Sequence, residues 1–267
     1  MELTLIQMLI LGLVQGITEW LPISSSGMST LIMANFFGIN DVSFIIHTAL
    51  FFHLGTFFAA LIYFRKDITE LLVALFNYKK SNIEIKKILK FLIISTMITG
   101  VIGSLLLKFL IDSNLELTGK AISFGVGALL LITAGIQLTT KKRGLKKSKD
   151  ITHNDSFILG ITQGLAVIPG LSRSGITVST LLLKKFDDTT ALRLSFLMSL
   201  PIVLLGNIIL NMNDIATTFS SGSIFGLLTA FVFGLLTIHT LMKLSRKINF
   251  AWFVLIFAIL MMLSVLI

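Results

Sequence analysis

Six stretches of this chain run for 17 to 28 residues without a single Asp, Glu, Lys or Arg. A helix needs about 20 mostly apolar residues to cross a hydrocarbon core about 30 Å thick. Ser43–Phe64 (22 residues), Phe91–Leu107 (17), Ala121–Thr140 (20), Leu194–Asn213 (20), Ile215–Met242 (28) and Ile248–Ile267 (20) therefore read as spans. Composition agrees: 55% of the 267 residues are hydrophobic and 13% charged, against roughly 25% charged in an ordinary soluble domain. So few charges cannot coat a globule of this size, and so much apolar side chain excludes a disordered chain. The absence of cysteine removes disulfide scaffolds, thiolate metal sites and cysteine nucleophiles. Met1–Ile10 lacks a basic leader, so no cleavable signal peptide is expected. What remains is an all-α polytopic membrane protein with a single membrane domain.

Two further apolar stretches are interrupted. Trp20–Asn40 carries Pro22, three consecutive serines and Gly27, and Ser156–Ser172 runs into Pro169, Gly170 and Arg173. Proline removes a backbone donor and glycine loosens the chain. Irregular backbone at membrane depth is tolerated only where protein or a wet cavity satisfies it. Both stretches thus read as re-entrant helical hairpins. Seven basic residues in Arg65–Lys90, six in Lys141–Asp155 and three in Lys243–Lys247 mark the cytoplasmic side. The segments near Asp112–Glu116 and Asp214 are poor in Lys and Arg and fall outside. Threading the chain closes with six transmembrane helices, two re-entrant hairpins and both termini outside. Eight full crossings would put Lys184 and Lys185 on the wrong side.

The interrupted stretches also match each other. Leu11-Gly12-Leu13-Val14-Gln15-Gly16 pairs with Leu159-Gly160-Ile161-Thr162-Gln163-Gly164 at an offset of 148. At the same offset Ser24, Ser26 and Gly27 fall on Ser172, Ser174 and Gly175, giving seven identities in 17 aligned positions. Each half, about 1–140 and 156–267 around the basic loop 141–155, reads as one hairpin followed by three spans. The halves start on opposite sides, which makes an inverted-topology repeat with a binding site between broken helices at the midplane.

Glu19 lies in an apolar run and Arg173 in the second break. Ionisable groups within membrane segments are functional-site hypotheses by default. The plain alternatives are an interfacial carboxylate and an arginine snorkelling to a membrane face. Guanidinium suits phosphate oxygens bidentately. The serine-rich breaks add hydroxyls and helix N-termini, which can bind anions or simply cap. One carboxylate, one guanidinium, several hydroxyls and two helix N-termini suit a phosphorylated, membrane-borne substrate. His47 and His53 share the next span, where a histidine is more often a hydrogen-bonded filler than a catalyst. No spaced metal motif occurs. The 22 phenylalanines fit lipid-facing packing, and the basic loops set orientation or attract anionic lipid, with no need of nucleic acid.

Gln15-Gly16-Ile17-Thr18-Glu19-Trp20-Leu21-Pro22-Ile23-Ser24-Ser25-Ser26-Gly27 resembles the first signature of the undecaprenyl-diphosphate phosphatases of the bacitracin-resistance type. Pro169-Gly170-Leu171-Ser172-Arg173-Ser174-Gly175 resembles the second. Tyr63-Phe64-Arg65-Lys66-Asp67 and Arg193-Leu194-Ser195-Phe196-Leu197 resemble further family segments, in order along the whole chain. The resemblance implies an integral membrane phosphatase that removes the terminal phosphate of a C55 polyprenyl diphosphate. That reaction recycles the cell-wall lipid carrier and confers bacitracin resistance. It also implies a plasma-membrane location and an active site opening to the outer face. Carried over by position, Glu19, Ser25 and Arg173 are the catalytic residues. Ser24, Ser26, Gly27, Ser172, Ser174 and Thr177 bind the diphosphate, with Gln15 and His53 as auxiliaries. No tightly bound cofactor is implied, although Glu19 could hold a divalent cation, Mg2+ or Ca2+. The implied partners are the lipid substrate, membrane lipids and a second copy in a homodimer.

Two departures matter. The family often has an acidic residue at Gln15, and it usually has histidine where this chain has Met28. A thioether can neither shuttle a proton nor hold a phosphate. Either that role is dispensable, or His53 takes it, or hydrolysis is impaired. The alternative function is a polyprenyl-phosphate transporter that keeps the site without the chemistry. Ser25 as nucleophile with Glu19 as base, and direct attack by water, both remain open. The charge pattern predicts that single cysteines placed at Lys141–Lys149 resist an impermeant thiol reagent in intact cells, while those at Asp112–Glu116 react. Labelling of the Lys141–Lys149 positions from outside contradicts the topology.

Overall fold

The computed structural model describes residues 3–21, 23–112, 144–168, 171–211 and 221–244, with scattered positions between 124 and 138 and between 252 and 262. The expected spans Ala121–Thr140 and Ile248–Ile267 lie largely outside the described residues. So do Pro22, Pro169, Gly170, the start of the basic loop and the segments beyond Asp112 and around Asp214. Nine α-helices are described: α1 (Leu5–Thr18), α2 (Ser25–Phe36), α3 (Val42–Tyr63), α4 (Arg65–Phe76), α5 (Ile83–Asp112), α6 (His153–Leu165), α7 (Arg173–Leu183), α8 (Asp188–Asn211) and α9 (Ser221–Leu244). Four of them, α3, α5, α8 and α9, are long and apolar enough to cross a membrane. Along α5, Ile93, Met97, Val101, Leu105 and Phe109 recur every fourth residue and are exposed. Such a stripe has no stable place in water and fits a lipid-facing surface.

Caps fix where the short helices start. Thr4 and Gln7 close a capping box at α1, the Gln7 amide donating to Thr4 Oγ1 at 3.3 Å and the Thr4 amide to Gln7 Oε1 at 2.8 Å. Ser24 accepts from the Gly27 amide at 3.1 Å at the head of α2, and Ser172 accepts from the Gly175 amide at 3.1 Å at the head of α7. These serines therefore cap in the same geometry, as their matched sequence positions suggest. α8 begins at Asp188, earlier than the charge-free run at Leu194. Arg193 can sit inside the helix because Asp67 and Glu84 pair with it, Glu84 at 3.7 Å, and its Nη1 donates to Ser148 Oγ at 3.3 Å. The heads of α4, α5 and α8 thus meet at one end of the helices, where the basic segments gather.

The ends of each short-helix pair also meet. At the head of α6, Asp155 completes a capping box with Thr152 and pairs with Lys184 at the end of α7, 3.3 Å away. Burial opposes ionisation of Asp155, but hydrogen bonds from Thr152 and the Lys184 ammonium outweigh it and hold the carboxyl below its usual range. In the first pair, Leu3 before α1 and Ile39 after α2 share an apolar cluster with Met33, Ile45, Phe51 and Phe52.

The repeated Gly-x-x-x-Gly spacing is a packing device. α1 lies against α9: a Cβ on Gly12 would fall 2.1 Å from the Gly226 carbonyl oxygen, and one on Gly16 would fall 2.8 Å from that of Ala230. α6 lies against α5, where a Cβ on Gly160 or Gly164 would meet Ile98 or Ile102 within 2.8 Å. Small residues let membrane helices approach this closely. Each pair of short helices thereby docks on a long helix distant in sequence. Trp20 locks the first break, edge-on to Phe196 of α8 with ring centroids 4.8 Å apart. Gly12→Ala should lower the unfolding stability or folded yield by the ~1–3 kcal/mol of an overpacked contact. Gly100→Ala, whose Cβ meets nothing within 4 Å, should leave both unchanged. Thermal unfolding in detergent reads the contrast, and equal behaviour of the two variants contradicts the packing.

Candidate active site

Because α1 ends at Thr18 and α2 restarts at Ser25, Glu19 and Ser25 face each other across a tight turn. Ser25 Oγ donates to Glu19 Oε2 at 2.7 Å. Gln15, one helical turn before Glu19, donates its amide nitrogen to the same oxygen at 2.8 Å. The opposite amide orientation would set two oxygens against each other, so the geometry dictates this one. His53 of α3 brings Nε2 to 3.2 Å from Glu19 Oε2. Arg173, at the head of α7, pairs with Glu19 Oε1. Glu19 is buried, 5% exposed, yet each oxygen has partners. The carboxylate joins the two hairpins, and Ser174 adds a second tie by donating to the Leu21 carbonyl at 2.6 Å.

The histidine geometry carries a proton count. His53 Nδ1 lies 2.6 Å from the Ala49 carbonyl oxygen, which only accepts, so Nδ1 bears a hydrogen. In a neutral ring Nε2 is then an acceptor, and it faces a carboxylate oxygen that also accepts. The contact requires a proton between them. Glu19 and His53 therefore hold one proton jointly, as imidazolium and carboxylate or as imidazole and carboxylic acid. With the other proton on Nδ1, the pair is neutral overall and Arg173 adds a single positive charge.

A cavity of about 590 Å³ opens beside this cluster. Glu19, Ser24, Ser25, Ser26, His53, Ser172, Arg173 and Ser174 line it, so the polar residues of both breaks converge there. The other walls are mostly apolar, among them Ile45, Leu50, Val167, Leu171 and Val203. Three of the anticipated residues take other positions. Gln15 holds Glu19 from behind. Gly27 gives its amide to the Ser24 cap. Thr177 is fully buried, donating to the Arg173 carbonyl at 2.7 Å and lying 2.6 Å from Ser195 Oγ. Thr177 thus braces the first turn of α7 rather than facing the cavity. Met28 packs against the apolar cluster of Ile23, Leu31, Ala34 and Ala134, also away from the cavity lining.

The sequence did not single out the α5 wall of the cavity. Thr99 accepts from Gln163 Nε2 at 3.3 Å and donates to the Gly160 carbonyl at 3.0 Å. Its legible signal was the glycine-rich face of a span otherwise full of large apolar side chains. Among the described residues no group of three or more His, Cys, Asp or Glu could hold a metal ion. Glu19 is the single Asp or Glu among the described residues lining the cavity, and both its oxygens already have protein partners.

The family model described as bacitracin resistance protein BacA matches residues 8–263. A protein of Methanococcoides burtonii named undecaprenyl-diphosphatase is 43% identical over 254 residues, covering 94% of each chain. A Methanothrix thermoacetophila protein of the same name is 33% identical, covering 93% of this chain and 92% of its own. Undecaprenyl-diphosphatase 2 of Halalkalibacterium halodurans is 34% identical, covering 94% and 92%. A match over nearly the whole chain, with both serine-rich breaks inside it, places this protein in the bacitracin resistance protein BacA family.

Proposed function

We propose that this chain is an undecaprenyl-diphosphatase, a multi-pass membrane hydrolase that removes the terminal phosphate of a C55 polyprenyl diphosphate. The observation that carries the reading is the buried Glu19 carboxylate, which gathers Ser25, His53 and Arg173 at the wall of one cavity. The relatives bear diphosphatase names, so a transporter that has lost the chemistry is not favoured.

In this reading the chain has six transmembrane helices and two re-entrant hairpins arranged as an inverted repeat. The Asp155–Lys184 contact supports it, because the second hairpin then begins and ends at one level. The cavity opens to the outer face. The lipid tail lies along its apolar walls and the diphosphate sits among the serines. Ser25 Oγ attacks the terminal phosphorus and passes its proton to Glu19 Oε2. The bridging P–O bond breaks and the polyprenyl phosphate leaves. Water then hydrolyses the phosphoserine, releasing inorganic phosphate. Arg173 and the heads of α2 and α7 offset the charge that builds on the transferring group. A divalent cation at Glu19 would neutralise further phosphate charge. His53 holds the shared proton that keeps Glu19 oriented, which fills the place left by Met28.

Purified protein in detergent should release inorganic phosphate from farnesyl diphosphate. Arg173→Lys keeps the charge opposite Glu19 but loses the fork, and should cost roughly 10²-fold or more in turnover without unfolding the protein. His53→Ala should cost about 10²-fold, as for loss of a general acid–base group. Met28→His should change the rate little, because that side chain points into an apolar cluster. Wild-type turnover in Arg173→Lys contradicts the assigned role, and a large gain in Met28→His contradicts that of His53.

A further inference from the structure

Lys108 is a cation with no part in the mechanism above. It lies near the end of α5 and is exposed, yet it lines the same cavity as Glu19 and Arg173. Gly100, Gly103, Ser104, Leu107 and Lys108 all line that cavity. Their spacing is i, i+3, i+4, i+7, i+8, one face of a single helix. The exposed apolar stripe Ile93–Phe109 lies on the neighbouring face, Val101, Leu105 and Phe109 each following a lining residue by one position, about 100° round the helix. Lys108 therefore stands at the end of a ridge that runs along the cavity wall. A Cβ on Gly103 would come within 3.1 Å of Val167 in the second break. Lys108 is five residues further on, about 7.5 Å along the axis at 1.5 Å per residue.

Charge placement makes this lysine unusual. Residues 1–64 contain no Lys or Arg, and Lys108 and Lys120 are the only two between Lys90 and Lys141. The chain thus keeps cations off the proposed outer side almost entirely. Charge balance in the cavity gives one a purpose. Glu19 and His53 share a proton and are neutral together, leaving a single positive charge on Arg173. Two helix heads contribute about half a charge each. A phosphate monoester already carries roughly −1.5 to −2 at neutral pH, and a diphosphate carries more. Among the described residues, Lys108 is the other Lys or Arg lining the cavity.

We propose that Lys108 is a specificity residue that binds the second phosphate of a diphosphate headgroup, so that the cavity holds the diphosphate more tightly than the monophosphate. The inference rests on the diphosphatase reading above. It makes Lys108 a contributor to substrate affinity and to product release, since the monophosphate product loses this contact. The ridge of small residues keeps the wall open between the serines and the ammonium.

A non-hydrolysable P–C–P analogue of farnesyl diphosphate, with farnesyl phosphonate beside it, reads the headgroup without turnover. Binding of both to purified full-length protein in detergent should show a preference for the P–C–P compound. Lys108→Gln should weaken that compound by about tenfold, the scale of one charge-assisted contact, and the phosphonate less than about twofold. It should also flatten the salt dependence of binding, while Lys108→Arg stays near wild type. Because the side chain is exposed, unfolding temperatures should be unchanged. Tight wild-type binding with no loss in Lys108→Gln overturns the assignment of Lys108 alone. Equal loss for both compounds also overturns it, showing general electrostatics. Absence of wild-type binding to either compound overturns the diphosphatase reading and this inference with it.

Discussion

A carboxylate buried between two broken helices is the constraint on which the rest of this structure depends. Glu19 sits deep in an apolar bundle, where an unpaired charge costs several kcal/mol. Its partners come from three places far apart in sequence: Gln15 and Ser25 on its own hairpin, His53 on the following helix, and Arg173 on the other hairpin. Removing one member of such a pair leaves the other charge buried and typically costs about 3–5 kcal/mol. The ion pair is therefore a poor source of net stability but a strict specification of position. The two breaks must meet, because neither charge has another place to go.

Ordinary packing brings them together. The matched Gly-x-x-x-Gly pairs press α1 onto α9 and α6 onto α5, so each pair of short helices is clamped by a long helix distant in sequence. Trp20 fills the space between Glu19 and α8. Ser24 and Ser172 start their helices in the same way, which aims the first turns of α2 and α7 at a common cavity. The breaks border a cavity for the reason that makes them hard to place in lipid. Backbone that cannot pair with itself must border protein or a wet cavity, and here the serines of both breaks line one cavity.

Much of this was legible in the sequence, and the exceptions have definite causes. Charge-free runs located α3 and α9 because lipid tolerates no other composition over that length. They missed the start of α8, since Arg193 is neutralised by Asp67 and Glu84 from segments more than a hundred residues away. The repeat exposed Gln15, Ser24 and their mates but not the use of the glycines, because close approach involves a partner helix that spacing does not reveal. Glu19, Ser25 and Arg173 stood out as polar groups in apolar surroundings. His53 stood apart from His47 through the family resemblance, not through its own position in the sequence. Only the register of α3 against α1 sets Nε2 of one of them beside Glu19. Lys108 was not singled out, because only the face of α5 relates it to the cavity.

The central claim is that both hairpins form one phosphate site around Glu19. An experimental structure with orthovanadate, a mimic of the transferring phosphoryl group, tests it most directly. The account predicts vanadium within bonding distance of Ser25 Oγ, its oxygens held by Arg173 and the serines of both breaks, and Glu19 still beside Ser25. Vanadate bound away from Ser25, or contacted by one hairpin alone with Arg173 turned aside, would contradict it.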